Sequence, residues 1–382
     1  MYIENIIHPD FRLIEEGRLF TVDQIFSRKI DIPIPHGLVR PGLTVKNVLQ
    51  SLIQAAESDV PILLDKGSGL DPPIPEHSFL IGILTSGTTG VPKCTWHRLG
   101  GLMERVGKPN PGARWLLTYS PHSYAGVQVI LNAAATGAVL ISCAGLDVIA
   151  LIKLAVSLHP RAVSATPSFW RLLLMSVPAT EDWLIEHIVL GGEAVDDILL
   201  ERIKKRWPSA SVRHIYASTE AGSVFSVNDG KAGFPTAWLN SGTSKVTLRI
   251  TDGMLYVRSP FASLTHNDWY ATGDLVEVKG DRVHFRGRAD GMLNIGGEKI
   301  DLEKLELQLL RLPEISDARL YGRSNAITGY IVEAEIVCSN YSTAQLHISD
   351  FCKTLRPVER PRRIIYVDRI SLSSTGKKVR RQ

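Results

Sequence analysis

The segment "LTSGTTGVPK", residues 84–93, places small hydroxylated residues, two glycines and a lysine directly after an apolar run. Glycines free the backbone to bend, and hydroxyl and N–H groups at this density suit a phosphate. The second glycine is followed by Val-Pro-Lys, so the segment is not a Walker A loop. An ordinary Gly/Thr turn after a strand remains the alternative. The candidate phosphate ligands are Thr85, Ser86, Gly87, Thr88, Thr89, Gly90 and Lys93.

A second segment, "YASTEAG", follows an apolar run and brings a ring, a hydroxyl and a carboxylate close together. Tyr216 could stack on a base, Thr219 could contact a phosphate, and Glu220 could bind Mg²⁺ that screens the phosphate oxygens. Taken alone, a Thr-Glu pair of this kind is also common as a helix cap.

Three more charged side chains stand beside glycine turns. In "WYATGDL", Asp274 follows a tight turn, where a carboxylate can accept hydrogen bonds from two ribose hydroxyls. Arg288 begins "RADGMLNIGGEKI", and Lys377 follows a glycine in "SSTGKKVRR". Each also has an ordinary explanation, as a common turn, a Gly-Gly hairpin or a solvated basic tail.

The elements that would position these residues alternate between strand and helix from about residue 79 to residue 219. Apolar runs of strand length, such as "FLIGIL" and "EHIVLGG", are separated by helical stretches such as "SFWRLLLMSV". This alternation predicts parallel sheets covered by helices. From about 240 to 285, short β runs separated by turns predict an antiparallel region. A helix starting at Asp301, two strands, a helix and a final strand follow.

The predicted fold class is therefore α/β, with a large N-terminal domain and a small α+β C-terminal domain. The N-terminal domain combines parallel, helix-covered sheets with an antiparallel β region. The segment "GRADG" is the predicted boundary, which gives domains of residues 1–287 and 288–382.

The composition excludes several classes of protein. The 382 residues are 44% hydrophobic and 21% charged, which is typical of a globular chain. A net charge of +4 is too small to indicate nucleic-acid binding. The scattered cysteines form no C-x-x-C pair and the charged N-terminus lacks a signal peptide's apolar stretch, so we expect a cytoplasmic location. Trp115–Leu146 has no charged residue, but Pro121 and Gly137 interrupt it, which favours buried packing over a membrane span.

The order of these motifs resembles the adenylate-forming superfamily, which includes acyl- and aryl-CoA ligases, aryl-acid adenylating enzymes and peptide-synthetase adenylation domains. The resemblance runs from about residue 80 to 381 and takes in the motifs "TSGTTGVPK", "GGEAV", "YASTE", "TGD", "GRADGMLNIGGEKI" and the terminal Gly-Lys. It implies that ATP activates a carboxylic acid to an acyl-adenylate with release of pyrophosphate. The acyl group then passes to a thiol of CoA or of a carrier-protein phosphopantetheine. The implied cofactors are ATP and Mg²⁺.

The resemblance also implies a role for each candidate residue in the first half-reaction. Lys377 would bridge the substrate carboxylate and the α-phosphate, and Glu220 would hold Mg²⁺, with Thr219 beside the phosphates. The loop at 85–93 would hold the β- and γ-phosphates. Adenine would lie beside Tyr216, Gly191, Gly192 and Glu193, and the ribose beside Asp274 and Arg288.

For the second half-reaction, the resemblance implies that the small C-terminal domain swings about a hinge at Asp290. This motion would withdraw Lys377 and bring Gly296 and Gly297 to line the tunnel of the thiol. Only 84 residues precede Thr85, fewer than in typical members of the superfamily, so we expect a trimmed N-terminal region.

Substrate and acceptor are less well defined. "PHSYAG", residues 121–126, resembles the His-Asn-Tyr of aryl-acid adenylating enzymes and predicts an aryl or small acyl acid beside His122, Ser123 and Tyr124. A packing Tyr124 with a solvated His122 remains the alternative. Residues 353–382 hold ten Lys or Arg against two acidic residues. This basic face could bind an acidic carrier protein or the phosphates of CoA. A solvated surface with no partner remains the alternative.

Two other functional classes remain open at this stage. A non-catalytic nucleotide-binding relative could serve in regulation or scaffolding, although the retained Lys377, Glu220 and Asp274 count against it. A P-loop phosphotransferase is the other, and the missing Gly-Lys-Ser/Thr counts against that.

Overall fold

The computed structural model describes residues 6–27, 37–75, 78–85, 93–178, 180–243, 245–264, 268–295, 297–326, 328–373 and 376–379. Five of the predicted phosphate ligands, Ser86, Gly87, Thr88, Thr89 and Gly90, lie outside the described residues, as does the predicted tunnel residue Gly296.

The strands, in chain order, are β1 (Arg12–Glu15), β2 (Arg18–Thr21), β3 (Ile62–Leu64), β4 (Ile81–Thr85), β5 (Lys93–His97), β6 (Arg114–Leu117), β7 (Val139–Ser142), β8 (Ala162–Ala165), β9 (His187–Gly191), β10 (Ser211–Ser218), β11 (Gly222–Val227), β12 (Phe234–Pro235), β13 (Thr247–Thr251), β14 (Met254–Arg258), β15 (Tyr270–Lys279), β16 (Arg282–Arg288), β17 (Leu293–Ile295), β18 (Glu298–Ile300), β19 (Ile315–Asn325), β20 (Gly329–Cys338) and β21 (Arg363–Tyr366). The helices are α1 (Val22–Phe26), α2 (Val45–Glu57), α3 (Leu99–Met103), α4 (Tyr124–Thr136), α5 (Val148–Leu158), α6 (Pro167–Ser176), α7 (Asp197–Arg206), α8 (Trp238–Ser241), α9 (Leu302–Leu309) and α10 (Tyr341–Thr354).

An eight-stranded sheet forms the centre of the N-terminal part, in the order β11-β10-β9-β8-β6-β7-β1-β2. Its inner strands pair in parallel, whereas β2 and β11 pair antiparallel at the two edges. Parallel strands bring their carboxyl ends to one edge of a sheet. The residues that follow β6, β8, β9 and β10 are therefore neighbours in space, although they are far apart along the chain.

Hydrophobic side chains cover both faces of this sheet. On one face, α5, α6 and α7 pack in a cluster with Trp170, Trp183 and Trp207, whose rings meet edge to face at centroid distances of 5.8 and 6.4 Å. On the other face, α2 and α4 pack against Leu117 and Leu140. Segment 115–146 carries no charged residue because it forms the central strands β6 and β7 and the covering helix α4, whose side chains are largely buried.

Two smaller sheets flank the central one. The antiparallel sheet β12-β16-β15-β14-β13 is the predicted antiparallel region. In the sheet β3-β4-β5, β4 and β5 pair antiparallel with Thr85 opposite Lys93, so the predicted phosphate loop connects these two strands. Among the described residues, no helix has both the length and the apolar character needed to cross a membrane.

The residues after Arg288, called the C-terminal region below, build their own hydrophobic cluster. The hairpin β17-β18, helix α9 and the sheet β19-β20-β21 surround side chains that include Leu305, Leu320 and Ile336. Ile198 of α7 also packs against this cluster. Asp301 caps the amino end of α9, at the predicted helix start. The domain boundary at 287–291 stays a prediction.

The predicted α/β fold class is confirmed, and two differences from the predicted elements have physical causes. Strand β1 was not predicted because its Glu15 interrupts an apolar pattern. This carboxylate is buried and accepts hydrogen bonds from Val45 N at 2.8 Å, Lys46 N at 3.1 Å and the Ser142 hydroxyl at 2.8 Å. Strand β11 was not predicted either, and its pairing with β10 makes 219–221 a hairpin turn.

Candidate active site

Some of the described candidate residues lie at the carboxyl edge of the central sheet. Tyr119, beyond β6, reaches across β8 so that its hydroxyl donates a hydrogen bond to the Gly191 carbonyl at the end of β9, at 3.4 Å. Thr166, directly after β8, caps α6 by accepting a hydrogen bond from Phe169 N at 3.1 Å. The parallel order of the strands is what makes these residues neighbours.

The terminal Gly-Lys of the chain docks at this edge. The Thr166 hydroxyl donates a hydrogen bond to the Gly376 carbonyl. Gly192 has φ +84°, a conformation that favours glycine, and a Cβ on it would lie 3.4 Å from Cε of Lys377. The Lys377 side chain therefore lies directly against the turn after β9, so the structure brings together two residues that the sequence assigned to one site.

Glu193 has two partners that the sequence did not indicate. One carboxylate oxygen accepts a hydrogen bond from Ser168 N at 2.9 Å, and the other accepts one from Lys378 N at 3.4 Å. Glu193 thus joins the amino end of α6 to the segment that carries Lys377. Its predicted position beside adenine stays a prediction, as do those of Gly191 and Gly192.

Tyr216, Asp274 and Arg288 form a second group. The Tyr216 hydroxyl donates a hydrogen bond to one oxygen of Asp274, and Arg288 Nη1 donates to the other at 3.3 Å. Burial raises the pKa of Tyr216 well above its ordinary value, and the Asp274 carboxylate raises it further, so the phenol keeps its proton. The Tyr216 ring packs against Phe225 and Phe285, with centroids 5.1 and 4.9 Å away.

Thr219 and Glu220 lie in the turn between β10 and β11. The Glu220 carbonyl accepts a hydrogen bond from Ser263 N at 2.9 Å, which fixes the turn. The Glu220 carboxylate is half-buried and makes no hydrogen bond or ion pair with any described residue.

A free carboxylate at Glu220 fits Mg²⁺. This ion is usually bound through one or two carboxylates together with substrate phosphates and water. The part of the chain that the structure describes contains no group of three or more His, Cys, Asp or Glu that could hold a metal ion by itself. Phosphate oxygens of a nucleotide and water molecules would complete the coordination.

The predicted acid-pocket residues begin helix α4, next to the same edge. The Ser123 hydroxyl caps this helix, accepting from Gly126 N at 3.1 Å and donating to the Ser120 carbonyl at 2.7 Å. His122 and Tyr124 are both buried, so the alternative of a solvated His122 is wrong. Burial lowers the pKa of His122. The predicted position of the acid beside Ser123 stays a prediction, although the Ser123 hydroxyl already makes these two hydrogen bonds.

His97, at the end of β5, is a candidate that the sequence did not reveal. Its ring lies 5.5 Å from the ring of Tyr124, and the imidazole forms a hydrogen bond with the backbone of Thr219. The side chain is 3% exposed, and its Nε2 has no hydrogen-bond partner among the described residues. An unpaired buried nitrogen between Tyr124 and the β10–β11 turn is a group that a bound substrate could satisfy.

We expect His97 to make stability depend on pH. Burial lowers its pKa from 6.5 to about 4, so below pH 6.5 the unfolded chain binds a proton that the folded chain does not. The free energy of unfolding should fall by about 3 kcal/mol on this account between pH 7 and pH 4. The free energy of unfolding, measured with urea at each pH in this range, should therefore depend less on pH for His97→Gln than for the parent.

His284→Gln, at a half-buried histidine on β16, is the matched control. If His97 were protonated in the folded protein as readily as in the unfolded chain, the free energy of unfolding would change equally with pH in the parent and in His97→Gln between pH 7 and pH 4. That outcome would contradict the prediction.

The remaining predicted residues occupy connections. Thr85 ends β4 and Lys93 begins β5, with the Thr85 hydroxyl donating to the Lys93 carbonyl at 3.4 Å. Asp290 lies in a single 3₁₀ turn, Ala289–Gly291, between β16 and β17. Gly297 has φ +91° in the β17–β18 hairpin, where its N–H donates to Asn294 Oδ1 at 3.1 Å.

Comparisons with known proteins identify the family. The family model described as AMP-binding enzyme matches residues 38–254. The chain therefore belongs to the AMP-binding enzyme family, within the adenylate-forming superfamily.

Individual relatives are distant but cover most of the chain. A 4-chlorobenzoate–CoA ligase of an Arthrobacter species is 26% identical over 98% of this chain and 79% of its own length. A D-alanine–D-alanyl carrier protein ligase of Staphylococcus haemolyticus is 24% identical over 89% and 77%. The structure of the anthranilate CoA ligase AuaEII with anthranoyl-AMP matches with a TM-score of 0.72 at 15% identity, covering 98% and 93% of the two chains. At that identity it supports the fold alone.

Proposed function

We propose that the protein joins a carboxylic acid to the AMP moiety of ATP, releases pyrophosphate, and passes the acyl group to a thiol. The observation that carries this proposal is the position of Lys377, whose side chain lies against Gly192 at the carboxyl edge of the sheet. Membership of the AMP-binding enzyme family supports it.

The chemistry explains why a lysine belongs at this position. A carboxylate is a poor electrophile, and its attack on the α-phosphate of ATP brings two anions together. A positive charge placed where negative charge accumulates lowers that barrier, more strongly when water is excluded. In this proposal the Lys377 ammonium lies between the acid carboxylate and the α-phosphate.

Other candidate residues would bind ATP. Asp274 would accept hydrogen bonds from the ribose hydroxyls, while Tyr216 and Arg288 hold its two oxygens in place. The loop between β4 and β5 would bind the β- and γ-phosphates, with Lys93 at its end. Mg²⁺, when bound at Glu220, would neutralise phosphate charge.

We infer an aryl acid as the substrate. The residues beside the start of α4 are aromatic and buried, with Tyr124 next to His97, and such a surface suits a planar ring. Relatives named for 4-chlorobenzoate and 3-hydroxybenzoate support the same class. A small acyl acid is the second candidate.

The thiol step requires the C-terminal region to move, with Asp290 as the proposed hinge. Lys377 occupies the space beside Gly192, and its withdrawal would let a thiol reach the acyl carbon past Gly296 and Gly297. The contacts that hold the present arrangement include hydrogen bonds, such as Arg202 donating to the Ser316 and Ile315 carbonyls at 3.1 and 3.0 Å, and the packing of Ile198 against the C-terminal cluster. Contacts of this kind suit a reversible domain rotation.

Acid-dependent exchange of labelled pyrophosphate into ATP tests the proposal. The panel should contain substituted benzoates, short fatty acids and α-amino acids including D-alanine. Exchange with one class identifies the substrate class. Absence of exchange with every acid, although ATP still binds, would favour the non-catalytic relative, which the comparisons do not support. Transfer of γ-phosphate to an acceptor would favour a phosphotransferase.

The acceptor is proposed to be an acidic carrier protein that meets the basic face formed by residues 353–382. Two arginines of this face, Arg360 and Arg362, donate hydrogen bonds to backbone carbonyls. Arg360 Nε donates to the Leu355 carbonyl at 3.0 Å, and Arg362 Nη2 donates to the Pro357 carbonyl at 3.4 Å. Charge reversal at either would disturb the fold. Lys353 and Arg363 are exposed and better suited.

We expect the double variant Lys353→Glu, Arg363→Glu to load a phosphopantetheinylated carrier severalfold more slowly at low salt. Surface charge acts on encounter and is screened over about 8 Å at physiological ionic strength, so the difference should fade as salt rises. Pyrophosphate exchange should be unchanged, and transfer to free CoA should change little. The control is Lys279→Glu, on β15. If the double variant and the parent load the carrier equally fast at low salt, the basic face does not bind the carrier and is only solvated surface.

A further inference from the structure

Lys378, the residue after Lys377, buries its side chain in the C-terminal region. Only 8% of the side chain is exposed. The Lys378 ammonium lies 2.8 Å from Asp317 Oδ1 and 3.8 Å from Glu306 Oε2, and it donates a hydrogen bond to the Ala318 carbonyl. The interpretation of this basic segment as a solvated tail is therefore wrong for Lys378.

The two carboxylates that receive Lys378 are held in place by the backbone of β19. Glu306 Oε1 accepts a hydrogen bond from Leu320 N at 2.8 Å, and Asp317 Oδ1 accepts one from Ala318 N at 2.9 Å. Both carboxylates are buried, at 5% and 2% exposure. A buried lysine is costly unless it is paired and hydrogen-bonded, so these partners confine the ammonium to one position.

Further bonds tie the same segment to the C-terminal region. Lys378 forms an antiparallel bridge with Leu372, Ser373 N donates to the Lys377 carbonyl at 2.7 Å, and Val379 N donates to the Ser371 carbonyl at 3.1 Å. Beyond it, the buried Arg319 donates to the Val379 carbonyl. Lys377 therefore stands on a short hairpin whose next residue is anchored in the protein interior.

Fewer hydrogen bonds join the Lys377 hairpin to the N-terminal part of the chain. Thr166 bonds the Gly376 carbonyl, and Glu193 accepts from Lys378 N at 3.4 Å. These two contacts exist only while the segment is docked at the sheet edge. The Lys378 anchor lies within the C-terminal region, so it stays with Lys377 wherever that region moves.

We propose that Lys378 is a positioning residue for Lys377. Its ammonium, held between Asp317 and Glu306, fixes the hairpin so that the Lys377 side chain reaches the turn at Gly192 when the C-terminal region docks. The proposal rests on the proposed function, because positioning matters only if Lys377 acts on the reacting groups. Displacements of about 1 Å at a reacting group can lower a rate by about two orders of magnitude.

The test compares Lys378→Met with the double variant Lys378→Met, Asp317→Asn. The double variant removes the lysine and one opposing charge together, so it is the more stable choice if the single variant does not fold. We expect kcat for pyrophosphate exchange to fall by about tenfold or more, with KM for ATP and acid within about twofold. Thioester formation from preformed acyl-adenylate should stay near the parent rate. Lys304→Met, at an exposed lysine of α9, is the control, and Lys378→Arg should recover part of the rate.

A second measurement does not depend on activity. Amide hydrogen exchange at residues 376–379, followed by mass spectrometry, should speed up in both Met variants but not in Lys304→Met. Unchanged protection of these amides in the Met variants would overturn the positioning role. A folded Met variant that exchanges pyrophosphate at the parent rate would overturn it as well, and so would an equal loss of rate in both half-reactions. If the parent itself exchanges no pyrophosphate with any acid, the proposed function fails, while the hydrogen-exchange result still decides whether Lys378 anchors the hairpin.

Discussion

Replacement of Lys377 by alanine is expected to slow acyl-adenylate formation by roughly 10²- to 10³-fold, the loss typical of removing one group that stabilises transition-state charge. The Lys377 side chain lies beside Gly192 at the carboxyl edge of the sheet, where the acid and the α-phosphate would meet. Transfer from preformed acyl-adenylate to the thiol should remain within a few-fold of the parent, because Lys377 is assigned to the first half-reaction only.

The measurement is pyrophosphate exchange for the first step and single-turnover thioester formation for the second. Lys304→Ala, at an exposed lysine of the same region, controls for a general loss of positive charge. Thermal unfolding of Lys377→Ala should match the parent, since Lys377 pairs with no described carboxylate. Equal losses in the two steps would contradict the division of roles, and an unchanged first step would remove Lys377 from the mechanism.

Asp274→Ala is expected to weaken ATP binding by roughly 10- to 150-fold, which corresponds to about 1.5–3 kcal/mol for losing one hydrogen-bonding charged group. The structure adds a second consequence, because Asp274 also binds the Tyr216 hydroxyl and Arg288. Its loss leaves a buried phenol without its acceptor, so the free energy of unfolding should fall as well.

Asp274→Asn separates these two effects. The amide oxygen can still accept from Tyr216, so stability should be largely kept while the charge that favours the ribose contacts is lost. Glu277→Ala, on the same strand, is the matched control, since its carboxylate pairs with Lys279 and Arg286. Isothermal titration calorimetry with ATP measures the affinity. Parental affinity in a folded Asp274→Ala protein would refute the ribose assignment.

Much of the fold was predictable because its signals are local. Strand β9 and helix α7 follow from short apolar and periodic runs, and Asp301 marks the start of α9 because its side chain accepts a hydrogen bond from Lys304 N, three residues on. Strand β1 could not be predicted in this way, since the partners that make its buried Glu15 acceptable, Val45 and Ser142, are 30 and 127 residues away.

For the candidate site too, some features follow from the sequence and others only from the tertiary structure. By itself, the sequence determined which chemical groups are present and in what order, from the loop at 85–93 to Lys377, because motif composition is a property of short segments. Only the tertiary structure decided which groups meet. Thr166 and Gly376 are 210 residues apart and Tyr216 and Asp274 are 58 apart, and such contacts depend on how parallel strands align their carboxyl ends.

The adjacent lysines show the same division most clearly. Lys377 and Lys378 are identical in type and neighbours in the chain, so composition assigned both to one basic tail. The fold directs Lys377 to the sheet edge and Lys378 to the buried carboxylates of Asp317 and Glu306. Which of two equal charges is free and which is buried depends on the packing around them, because burial of a charge is tolerated only where distant residues supply its partners.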